Sequence, residues 1–151
     1  MAFPSSGLFV VTFVDVLDTT QLALDLDLET HKIALFTNSV TGADLTTDTA
    51  YGVGAWGSNE VSGTGYTAGG AALTGTTYTH GSGGVVTFDA TDWTLSSATL
   101  TNVRGVLAYA DALAGNNGIC AVNLGADYAV TAGTLTVQWN AAGIFYHDLI
   151  P

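Results

Sequence analysis

Apolar and polar residues alternate strictly along Thr134 to Asn140, with Leu135, Val137 and Trp139 on one side and Thr134, Thr136, Gln138 and Asn140 on the other. A period of two places the two sets on opposite faces of a pleated strand, so one face is buried and the other polar. Further strands rich in β-branched residues are predicted over Lys32 to Asn38, Thr74 to His80, Val85 to Asp89, Trp93 to Asn102, Val103 to Asp111 and Ile119 to Leu124. Gly115 to Gly118, with Asn116 and Asn117 between the glycines, tolerates positive φ and is expected to join two antiparallel strands, as is Gly81 to Gly84.

Two segments near the N-terminus carry less direct patterns. Leu8 to Leu17 fits a helix face through Leu8, Val11, Thr12 and Val16, while its valines favour a strand; a short helix is the expectation. Leu22, Leu24, Leu26 and Leu28 then alternate with Ala23, Asp25, Asp27 and Glu29, which predicts a strand with an acidic outer face. From Thr41 to Gly75 strand signals fade into Gly, Thr and Ala, with Tyr51, Trp56 and Tyr66 interspersed. Loops longer than about 15 residues in a compact domain usually carry function or become ordered against a partner. The candidate interaction surface is therefore Tyr51, Trp56, Glu60 and Tyr66.

The expected fold class is all-β, a β-sandwich or jelly-roll-like domain with a long Gly/Thr-rich loop. Residues 1–20 are expected as an N-terminal arm or short helix, and residues 21–151 as a single β-sandwich domain. A chain of 151 residues buries about two-thirds of the surface its unfolded form exposes, so one core suffices.

Charge narrows the partners. Thirteen Asp and Glu stand against Lys32 and Arg104 alone, a formal net charge of −11. Two cations cannot neutralise a run of phosphates, which argues against nucleic acid, and the same shortage removes polybasic attachment to an anionic membrane. The longest apolar run, Leu8 to Val14, is far short of the roughly 20 residues that cross a bilayer, and no basic region precedes it as in a secretory signal. Cys120 stands alone in an apolar run, so it forms no internal disulfide and is expected to be a buried thiol.

Catalytic and cofactor chemistry finds little support in these residues. His31, His80 and His147 lie in no recognisable nucleophile motif, and no Cys/His pairing has zinc-ligand spacing. Asp25, Asp27 and Glu29 offer hard oxygen ligands to calcium, although a solvated edge that discourages strand pairing accounts for the same pattern. Gly63, Gly65, Gly69 and Gly70 lack the lysine and the strand-loop-helix setting of a phosphate cradle. No catalytic residue, metal or cofactor is assigned. Trp56, Trp93 and Tyr66 suggest sugar stacking as a second reading, against core burial for Trp93 and Trp139.

The stretch EVSGTGYTAGGAAL, Glu60 to Leu73, resembles a widespread family of small virion proteins of tailed bacteriophages. HKIALFTNSV (His31 to Val40) resembles that family's first core strand, VVTFDATDWTLSSATLTNVRGVLAYAD (Val85 to Asp111) its central strands, and TLTVQWNAAGIFYHDL (Thr134 to Leu149) its closing strand and tail. The resemblance implies a virion structural protein, foremost a capsid decoration or cement protein made in the host cytoplasm and carried on the capsid exterior. It implies the major capsid protein as partner and a homo-oligomer, a trimer first, and it supplies no catalytic residues. A tail-associated or host-recognising role is the alternative within the same family, and the segment before Gln21 is individual to this chain.

Overall fold

The computed structural model describes residues 3–28 and 30–150. Its elements are β1 (Gly7–Leu8), α1 (Val10–Leu17), β2 (Lys32–Thr37), β3 (Ala71–Ala72), β4 (Thr77–His80), β5 (Val85–Asp89), β6 (Trp93–Tyr109), β7 (Gly118–Val137) and β8 (Phe145–Asp148), with short 3-10 turns at Gly54–Gly57 and Ser82–Gly84. All strand pairs are antiparallel. They form a five-stranded sheet in the order β1-β7-β6-β2-β3 and a three-stranded sheet in the order β4-β5-β8. The domain is all-β and sandwich-like, as its pattern predicts.

The large sheet is covered on both faces, and its register shows how. Ile33 pairs with Ala108 and Leu35 with Val106, while Cys120 and Val122 sit opposite Ala108 and Val106, so these side chains share one face. That face packs against Phe88, Phe145 and Phe13, from the small sheet and α1. The alternate residues Ala34, Phe36, Leu107, Tyr109 and Ala121 form a second core with Phe3, Phe9, Val40 and Trp56. A strand buried on both faces reads as a continuous apolar run. This accounts for the unbroken Ile33 to Phe36 in β2, all four of them buried.

Four expectations change in detail. The strands over Trp93 to Asn102 and Val103 to Asp111 are one 17-residue strand, and Ile119 to Leu124 and Thr134 to Asn140 belong to one 20-residue strand that ends at Val137. Irregular register at several points lets the long hairpin bend, and Ser97, Asn102 and Ala132 take positive φ beside the shifts. Bulges of this kind add twist without ending the strand, which is why a polar or glycine-bearing stretch is misread as a break. The expected strand Leu22 to Glu29 is not a strand where it is described: residues 21–25 pair with no ladder and Leu26 and Asp27 lie in a turn. Its alternation survives only as Leu22, Leu24 and Leu26 turned inward, and Glu29 lies outside the described residues. Thr74 to His80 shortens to Thr77–His80.

The N-terminal segment is folded onto the body. Phe3 and Phe9 are buried, β1 pairs with β7, and the Asn123 side-chain amide donates to the Pro4 carbonyl at 2.9 Å. The helix expected over Leu8 to Leu17 forms at Val10–Leu17 despite four valines and no side-chain cap. Weak helix formers in so short a run need tertiary support. The Val10 N–H donates to Leu45 O at 2.8 Å, the Phe9 N–H to Ile119 O at 3.0 Å, and Phe13 sets its ring edge-on to Phe145. No helix among the described residues is long and apolar enough to cross a membrane.

Candidate functional site

Of the chain between β2 and β4, Leu45, Tyr51 and Trp56 pack on the second face of the large sheet and Val61, Tyr66 and Leu73 on the first, and a carboxylate ties the two parts together. Glu60 Oε1 accepts from the Tyr66 hydroxyl at 2.6 Å and from the Gly69 N–H at 2.7 Å, and Oε2 accepts from the Tyr51 hydroxyl at 2.8 Å. The Tyr66 oxygen in turn accepts the Leu35 N–H at 2.9 Å, tying the network to β2. Tyr109, on β6, donates to Gly69 O at 2.7 Å and stacks on Tyr51 with ring centroids 4.4 Å apart. Charge-assisted bonds of this length are roughly twice as strong as neutral ones. Burial, and then the Glu60 carboxylate, push the Tyr51 hydroxyl up to about 12 and raise Tyr66 further. Burial likewise raises Tyr109. Each of these hydroxyls therefore stays protonated as a donor.

Trp56 occupies the centre of this lid. It is 1% exposed, packs edge-on against Phe36 and Phe3, and donates its indole N–H to Asp48 Oδ2 at 2.9 Å. Of the four residues expected to face a partner, Tyr51, Glu60 and Tyr66 thus meet in one network, each partly buried, and Trp56 is buried beside it against Phe36. The physical reason is that the aromatics find partners within the chain: Tyr51 and Trp56 cover the apolar second face of β2 and β6, and Tyr66 packs against Trp93 in the other core, which removes more apolar surface from water than leaving the rings outside. Tyr109 completes the network and was hidden from sequence reasoning by its place at the end of an apolar strand.

The glycines of EVSGTGYTAGG serve this closure. Gly70 has φ +71°, and a Cβ there would lie 1.7 Å from Ile33 O. Gly63 passes so close to β6 that a Cβ would lie 2.2 Å from Thr99 O. The motif is thus a set of fold-making contacts, with Glu60 as its hub.

The other chemistry-bearing residues are dispersed. His31 is buried, with Nε2 2.6 Å from Asp25 O; read as the donor, Nε2 leaves Nδ1 bare and without a partner. Burial lowers its pKa. Val86 stands between His80 and His147 in one row across the small sheet. Asp25 accepts the Asp27 N–H at 3.0 Å and Asp27 accepts the Tyr78 N–H, so both carboxylates anchor a turn. Among the described residues no group of three or more His, Cys, Asp and Glu side chains is placed to hold a metal ion. Cys120 is a buried free thiol, which burial pushes up to about 12.

An open apolar surface lies elsewhere, around α1. A groove of about 660 Å³ runs between α1, residues 23–27 and the open end of the small sheet, with Phe13, Leu24, Leu26 and Tyr78 among its walls. A shallower hollow of about 430 Å³ on the other side of α1 shares Phe13, Leu17 and His147 with it. Along the helix Leu17 is 88% exposed, Val14 52% and Val10 45%, and Leu149 beyond β8 is 68% exposed. Sequence reasoning did not place this site. Its signal was present in Val10 to Leu17, VVTFVDVL, which is apolar on nearly every side; such a helix is either fully buried or covered by something else.

No match to this chain is found among family models, curated proteins or solved structures.

Proposed function

We propose that this chain is a structural protein of a bacteriophage virion, a decoration protein that sits on the capsid exterior, binds the major capsid protein and performs no catalysis. The observation that carries the reading is the apolar band along α1 and its groove. Bands of exposed apolar surface of this kind mark sites covered by another molecule. The resemblance of Glu60 to Leu73 to phage virion proteins supplies the kind of assembly. The residues that carry it hold the long loop through Glu60 and pack Val61, Tyr66 and Leu73 into the core between the sheets, as a rigid building block requires. Copies at threefold positions, a trimer, would engage the shell many times over and gain from avidity.

The sugar-binding alternative needs Trp56 and Tyr66 facing solvent, and Trp56 is 1% exposed. A tail position asks for the same rigid body and is separated by location alone. Cryo-electron microscopy of purified virions is the test. Density fitting this sandwich at symmetric positions on the outer shell is the expected result; density on the tail would transfer the proposal there, and absence of the protein from particles would overturn it.

A further inference from the structure

We infer that the groove beside α1 takes a segment of another protein that presents an apolar stripe flanked by lysine or arginine. The inference rests on the reading of the chain as an assembly component and names the chemistry of what it binds.

The walls of the groove define the apolar part. Phe13, Leu24 and Leu26 lie inside it, and Leu17 and Leu149 stand at its margin. Its length along a two-turn helix suits the anchors of an amphipathic helix or an extended strip, whose side chains recur on one face. Charge supplies the rest. Asp25 and Asp27 border the groove and Asp18 borders the neighbouring hollow. Their hydrogen bonds come from backbone N–H groups, from Thr20, Asp27 and Tyr78. Among the described residues neither lysine nor arginine neutralises them: Lys32 pairs with Asp111 at 3.0 Å and Arg104 with Asp127 at 3.3 Å, neither at the groove, where His147 is the one basic side chain in the lining. An apolar floor with an acidic rim complements an apolar stripe with a basic border. A second copy would bring the same acidic rim, on a chain whose formal charge is already −11, and like charges set against each other disfavour that pairing. The same charge repels an anionic lipid surface.

The probe is an 18-residue amphipathic peptide of leucine and lysine, with a leucine and glutamate peptide of the same pattern as its counterpart. Each is titrated against the full chain and two variants, and binding is followed by calorimetry. Leu17→Lys alters the groove margin at an exposed position, so the fold is retained; Ala126→Lys places the same charge on the exposed part of β7, outside the groove. The expected result is that the lysine peptide binds, the glutamate peptide does not, Leu17→Lys weakens binding by about tenfold or more, and Ala126→Lys leaves it nearly unchanged. Equal binding of both peptides, equal weakening by both variants, or no binding of the lysine peptide overturns the proposal. So does concentration-dependent dimerisation of the wild-type chain that Leu17→Lys abolishes, or binding to vesicles of phosphatidylserine. On particles the two readings separate: full occupancy by Leu17→Lys refutes the groove and leaves the virion role standing, whereas absence of the wild-type chain refutes the virion role alone.

Discussion

Replacing Glu60 tests whether the long loop is held to the sheet by its carboxylate. In Glu60→Ala three donors lose their acceptor at once: the hydroxyls of Tyr51 and Tyr66 and the N–H of Gly69. Hydrogen bonds to a charged group are worth about 1.5–3 kcal/mol each. The site is only half-buried, so water replaces part of the loss, and the expected destabilisation is about 3–5 kcal/mol. Glu60→Gln keeps one oxygen for Tyr66 and Gly69 but turns an amide toward Tyr51, and is expected to cost about 1–2 kcal/mol. Urea unfolding followed by tryptophan fluorescence measures both, with an unchanged slope showing that the unfolded state is the same. Tyr66→Phe supplies the coupling: it should cost less in the Glu60→Ala background than in the wild type, yet still cost something, because the Leu35 N–H also loses its acceptor. A loss below about 1 kcal/mol for Glu60→Ala, or simple additivity with Tyr66→Phe, would refute the claim that the carboxylate closes the lid.

The lid and core carry further expectations. Trp56→Ala should cost about 3–5 kcal/mol by opening a cavity between Phe3, Phe9 and Phe36, seen as a lowered urea midpoint, with peptide binding at the α1 groove retained at temperatures where the variant is folded. Gly70→Ala should fail to fold or lose more than about 3 kcal/mol, since its Cβ would meet the Ile33 carbonyl; a variant as stable as the wild type would contradict the close approach. At alkaline pH, Tyr51 ionises in the unfolded chain near 10 and in the folded one near 12, so its contribution is whole below 10 and is lost as pH rises from 10 to 12; absorbance at 295 nm should show its titration moving down in Glu60→Gln. At acid pH the sign reverses for His31, whose pKa is lowered by burial from 6.5. Its contribution is present above 6.5 and is lost as pH falls, and a stability profile flat from pH 7 to 5 in the wild type would contradict this.

What the sequence discloses depends on whether a residue's partner is near it in the chain or predictable from periodicity. Leu135, Val137 and Trp139 disclose their strand because alternation is a property of the segment itself. Leu22 to Glu29 shows the same alternation, yet its described residues 22–28 pair with no ladder, because a neighbouring strand is a tertiary fact that the pattern does not contain. The joining of Trp93 to Tyr109 into one strand was obscured by Asn102, whose positive φ is accommodated as a bulge. Tyr51, Glu60 and Tyr66, expected on one surface, share one hydrogen-bonded network, while Trp56 is buried beside it. Aromatics in a Gly-rich loop look exposed until it is known that β2 and β6 carry a second apolar face, and the unbroken run Ile33 to Phe36 was the sign of it.

That second face also explains why the exposed apolar band lies at α1. The large sheet is covered on one side by the loop and the N-terminal aromatics, and on the other by the small sheet, whose four- and five-residue strands are too short to cover it alone. Phe13 bridges the remainder by meeting Phe145 and His147 edge-on, but α1 has only eight residues. With Phe13 and Thr12 turned inward, Val10, Val14 and Leu17 are left on the outer side. A helix needed only to plug the sandwich would gain from polar residues there, since exposed valines supply neither helix propensity nor solubility. Leu17, 88% exposed, therefore contributes little to the isolated fold that a lysine or glutamate would not supply, and with the open halves of Val10 and Val14 it leaves apolar surface free for the contact proposed at the groove.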